Sequence, residues 1–70
     1  MAGKANNMEK MAERVAAKMA AFAQGRDLED FDTLCEFDQM LWQEIDSQNE
    51  FPRSMFRKAI MQNLSGKINL

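Results

Sequence analysis

Apolar residues recur along this chain in three stretches, each with helical spacing and separated by short polar breaks. In the first, Met8, Met11, Val15, Met19 and Phe22 share one narrow stripe, widened by the small side chains of Ala12, Ala16 and Ala23. Such small residues let a neighbouring helix approach closely. Asn6 or Asn7 can cap the start, and Gly25 can supply the left-handed residue that ends it. The spacing predicts a helix over about residues 7–24.

The second stretch predicts a helix over about 27–48. Asp27, Glu29, Asp30 and Asp32 crowd its first turns, where the helix dipole favours negative charge. With Leu28 set at 0°, Phe37, Leu41, Leu34, Ile45, Phe31, Trp42 and Cys35 spread over an arc from roughly 180° to 340°, at ~100° per residue. Met40 falls outside even that arc. A helix packed on one side needs an apolar stripe only about 100° wide. This helix is therefore expected to be central in the fold or covered on a second side by another chain. Asp38 sits in the middle of the arc, where a carboxylate without a partner would be costly. Two readings stay open: a buried ion pair with Arg53, Arg57 or Arg14, or a helix tilted so that Asp38 reaches water.

The third stretch predicts a helix over about 50–65, with Asn49 as cap and Pro52 in the first turn. Met55, Phe56, Ala59, Ile60 and Leu64 form its expected inward face. Ser65-Gly66 marks a stop, with Ile68 placed to pack back. Short connections make neighbouring helices antiparallel or strongly angled. The expected fold is all-α, a single three-helix bundle over residues 1–70, able to dimerise through its central helix.

Charge sharpens this picture. Residues 1–26 carry five bases against two acids, residues 27–50 nine acids and no base, and residues 51–70 four bases and no acid. A basic, acidic, basic order suits three packed segments with the acidic one central, because alternate signs then face each other. The chain has 70 residues, a net charge of -2, no His and one Cys. The residue types exclude His-based acid–base catalysis, thiol–imidazole pairs and Cys/His zinc sites, and there is no Gly-rich phosphate loop. The acidic run lacks the Gly and terminal Glu of a calcium loop in register, so helix capping explains it better. No enzyme activity, cofactor or metal is expected. Cys35, unable to form an internal disulfide, points to the cytoplasm. No signal peptide is expected, because the first 25 residues never run more than seven without a charge, and no segment is apolar enough for a membrane span.

Seven Met residues are many for this length, and flexible thioethers suit adaptable surfaces. Phe37, Met40, Leu41, Trp42 and Met61 are the expected contact residues for a partner, which is a larger intracellular protein or a second copy of the chain. The expected role is that of an accessory subunit or inhibitor, and a small chain of this kind would suit a phage- or plasmid-encoded inhibitor. The alternative is a helix-turn-helix regulator presenting Arg53, Ser54, Arg57 and Lys58 to DNA, against which stand nine acids on the preceding segment. Mimicry of DNA by the acidic segment is weakened by the bases on either side of it.

Glu50, Arg53-Ser54-Met55-Phe56-Arg57 and Ile68-Asn69-Leu70 resemble the last helix and tail of the theta subunit of bacterial DNA polymerase III, and Val15-Ala16-Ala17-Lys18-Met19-Ala20-Ala21 loosely resembles that family's first helix. The resemblance implies a small three-helix protein that binds and steadies a proofreading exonuclease subunit.

Overall fold

Three helices account for the fold: α1 over Lys4–Ala23, α2 over Phe31–Asp46 and α3 over Arg53–Ser65. They come from a computed structural model that describes residues 4–68, with side chains from Asn7 onward. The chain is an all-α three-helix bundle with no strand among the described residues.

The first helix begins earlier than its capping signal suggests. Asn6 and Asn7 lie inside α1 rather than at its cap, and the Asn6 side chain is outside the described residues. Its end follows expectation: Gly25 adopts φ +79°, the left-handed conformation that a side chain resists. The polar break that follows is longer than predicted, because the acids at 27–30 build a turn instead of a first helical turn. Asp27 accepts a hydrogen bond from the Glu29 N–H at 3.0 Å. Asp30, with extended backbone, accepts from the Thr33 N–H at 3.1 Å and is the N-cap of α2.

Contacts along the helices fix their directions. Phe22 faces Phe37, with ring centroids 6.3 Å apart, and Lys18 pairs with Glu44 at 2.7 Å, so α1 and α2 run antiparallel. Asp46 pairs with Arg53 at 2.9 Å, and Leu34 and Phe37 share a groove with Met61, so α2 and α3 are antiparallel too. Each ion pair joins an acid of α2 to a base of a neighbour, as the charge order anticipates. Both are solvent-exposed and worth no more than about 1 kcal/mol each, so they bear on register more than on stability.

The core is built chiefly from α1 and α3, with α2 packed against both. Ala12 and Ala16 of α1 and Ala59 of α3 are buried, and these small side chains let the two parallel helices pack closely. Val15 and Met19 of α1, and Phe56, Ile60 and Leu64 of α3, are buried beside them. From α2 only Phe37, Leu41 and Ile45 are buried. The expectation that the acidic helix is central is therefore corrected: it is the outer member, and much of its apolar arc faces solvent. Met55 is corrected as well, since it is 54% exposed, turned away from the inward face of α3. No polar or charged side chain is buried among the described residues.

The turn between α2 and α3 has no counterpart in the sequence pattern. Asn49 caps nothing; α3 starts at Arg53, with Pro52 at its N-cap and no side-chain hydrogen bond there. Gln48 holds the turn instead. Its amide nitrogen donates to the carbonyls of Phe51 at 3.0 Å and Ile45 at 3.3 Å, and its amide oxygen accepts from the Phe51 N–H at 2.8 Å. The buried Phe51 ring can then pack on Phe56, with centroids 6.1 Å apart. Gln48→Ala leaves both backbone polar groups of Phe51 without this partner and is expected to cost about 1–3 kcal/mol. A lowered urea midpoint with an unchanged slope is the expected reading. Gln48→Glu keeps the acceptor but loses both donors, and should recover only part of the loss.

At the far end of α3, Ile68 packs back onto the core and donates its N–H to the Leu64 carbonyl, as expected. Asn69 and Leu70, which complete the stretch that resembles the theta subunit, lie outside the described residues. No helix is long and apolar enough to cross a membrane among the described residues.

Candidate functional site

Because α2 contributes only three residues to the core, its remaining apolar positions form a surface. Phe31, at the first turn, is 75% exposed, and Leu34, one turn on, is 49% exposed. Cys35 is exposed beside them, four residues from Phe31 and hence on the same face. This face continues into an open groove between α2 and α3. Leu34, Cys35, Phe37, Asp38 and Leu41 line it from α2, Arg57 and Met61 from α3, around a volume of about 420 Å³. Phe37 and Leu41 are its buried floor, Met61 a half-buried wall.

Further along the same side of α2, Trp42 is half-buried. Two guanidinium groups of α3 lie over its indole: Arg53 at 5.2 Å and Arg57 at 5.8 Å from the ring centroid. Cations over an indole face are attracted by the negative potential of the ring. Arg53 also reaches Asp46, so it is held from two directions. The helix proposed for DNA recognition thus has two of its bases turned onto α2. Helices α2 and α3 lie side by side along their length rather than crossing at the steep angle of a helix-turn-helix.

The expected contact residues do not form one patch. Phe37, Leu41 and Met61 come together in the groove, and Trp42 lies beyond it on the same flank. Met40 does not join them. Two positions from Trp42, it points roughly 160° away around the helix, toward the flank where Glu44 meets α1. It packs there against the core.

The buried ion pair is corrected. Asp38 is exposed, Arg53 pairs with Asp46, and Arg14 lies on the opposite flank of α2, in the groove with Lys18 and Glu44. The tilted-helix reading of Asp38 is the one the structure follows. Asp38 and Arg57 both line the α2–α3 groove, and neither is in an ion pair among the described residues.

Phe31, Leu34 and Cys35 are the surface residues that periodicity alone did not single out. Their signal lay in the ends of the elements: α2 begins at Phe31, so Phe31, Leu34 and Cys35 fall in its first turns, ahead of the buried Phe37, Leu41 and Ile45. No group of three or more potential metal-ligating side chains clusters among the described residues. No known protein family, curated protein or solved structure matches this chain.

Proposed function

We propose that this is a non-enzymatic protein that works by protein–protein contact, in the manner of an accessory subunit or inhibitor, with the α2–α3 face as its contact surface. One observation carries the reading: the exposed apolar side chains of Phe31 and Leu34 run without interruption into a groove floored by Phe37 and Leu41. Contiguous apolar surface of this kind, rimmed by charges such as Asp38 and Arg57, marks sites where another molecule excludes water. Adaptable Met61 and aromatic Trp42 border it, side chains that supply contact area in protein interfaces. The DNA-binding alternative draws no support from bases held against an indole beside an acidic helix.

Three single substitutions test the surface. Phe31→Glu and Leu34→Glu should leave the far-UV circular dichroism unchanged and shift Tm by only a few degrees, since neither side chain is in the core. Both should abolish association, followed by sedimentation of the purified chain and by affinity capture from its native host. Met55→Glu, which alters an equally exposed apolar residue in the groove between α1 and α3, should leave association intact. Loss of helix content in Leu34→Glu, or equal losses of association in all three variants, would sink the assignment of this face.

A further inference from the structure

We propose that residues 31–36, the first turns of α2, unwind and re-form as a unit of their own while the rest of the bundle stays folded, with the Asp30 cap as the contact that holds them helical. This holds whatever the contact face binds.

Burial divides α2 in two. Across residues 24–36 no side chain is buried, and Phe37, Leu41 and Ile45, which tie the helix to the core, all come later. Leu28, packed on the core ahead of the helix, and Phe37, 6.3 Å from Phe22, pin the two ends of the intervening stretch. Unwinding between these pins uncovers no core side chain, since Phe31 and Leu34 are already largely exposed. Both ion pairs of α2 lie beyond the stretch, at Glu44 and Asp46, and so does the Trp42 ring under its two guanidinium groups. Segments with few buried contacts and solvent-exposed backbone hydrogen bonds open at far lower free energy than the whole domain.

The residues themselves hold a helix poorly. Phe31, Asp32, Thr33 and Cys35 belong to the weaker half of the helix-propensity scale. Asp32 gains from the helix dipole, but with Glu36 it puts like charges one turn apart. One side-chain cap stands against this. The Asp30 carboxylate accepts from the Thr33 N–H at 3.1 Å and from the Thr33 hydroxyl at 3.2 Å, while the Asp30 carbonyl accepts from the Leu34 N–H at 2.9 Å. Phe31 and Leu34 are three residues apart and share a face only while this stretch is helical. Opening therefore takes the exposed apolar patch apart, and closing rebuilds it.

Residue-resolved hydrogen exchange of the purified chain tests this. The amides of Leu34, Cys35 and Glu36 should be protected at least about 100-fold less than those of Leu41, Ile45 and Ile60. Low concentrations of urea should hardly change their rates, because a local opening exposes little new surface. Ile60→Val weakens the core alike in the open and closed forms of the unit. It should speed exchange at Leu41 and Ile45 about fivefold and leave Leu34, Cys35 and Glu36 unchanged. Asp30→Ala should speed exchange at those three amides about fivefold, and Asp30→Asn, which keeps a capping oxygen, should recover most of the loss. Equal acceleration of both sets of amides in Ile60→Val, or a shared urea dependence, means that the first turns open only with the whole bundle and overturns the proposal. Unchanged rates in Asp30→Ala remove the cap as the holding contact. Exchange is read on the free chain, so these outcomes stand apart from whether Phe31 and Leu34 meet a partner.

Discussion

Phe56→Ala is expected to leave the chain largely unfolded at 25 °C. Phe56 is fully buried, lies in the α3 face that packs on α1, and carries Phe51 from the preceding turn. Removing a buried phenyl ring costs about 3–5 kcal/mol, the sum of lost transfer energy and an unfilled cavity. A domain of this size has a total stability of roughly 4–10 kcal/mol. The loss therefore takes most of the margin, and the Phe51 ring loses its support at the same time. Far-UV circular dichroism with a urea titration checks this: the variant should have little or no folded baseline. Phe56→Leu, which keeps most of the volume, should lose under about 1.5 kcal/mol and still unfold cooperatively. A Phe56→Ala chain as stable as the wild type would mean that α3 does not pack through this ring.

The second large effect is expected from adding volume. Ala16 is fully buried on α1, in the contact with α3 that also contains Ala12 and Ala59. Ala16→Leu inserts a branched side chain at a position with no exposed surface, so the surrounding side chains and helices must shift to admit it. Overpacking of this kind costs about 1–3 kcal/mol. For a domain this short, each kcal/mol lowers Tm by roughly 4–8 °C. Ala21→Leu makes the same change at an exposed position of the same helix and should be nearly neutral. Thermal melts of the pair separate packing from helix propensity, which is similar for the two residues.

These two sites show what could be read from the chain alone. The stripe of Met8, Met11, Val15, Met19 and Phe22 with its flanking alanines turned inward as periodicity required, and Gly25 ended the helix as its residue type suggested. The order of charged blocks anticipated acids of α2 meeting bases on either side. The failures have identifiable causes. Asp27 and Asp30 are as suitable for a turn as for a first helical turn, because the same carboxylate that caps a helix also closes an Asx turn. The breadth of the apolar arc on α2 was sound, but breadth does not say which part is covered. The core took Phe37, Leu41 and Ile45, at one side of the arc, and left Phe31, Leu34 and Asp38 to solvent. Met40 and Trp42 were grouped by chemical type, although two positions apart on a helix they cannot share a face. No periodicity marks Gln48, whose role depends on the path of the loop it spans.

The alternating directions of the three helices have a practical outcome for anyone attaching something to this protein. Since α1 and α3 point the same way, the start of α1 and the finish of α3 are at opposite poles, separated by about 30 Å of helix. The finish of α3 shares its pole with Phe31 and Leu34. A fluorescent domain or solid support joined beyond α3 would crowd the greasy patch, whereas one joined ahead of α1 would leave it open. Immobilisation chemistry alone could therefore make the same molecule look sociable or inert.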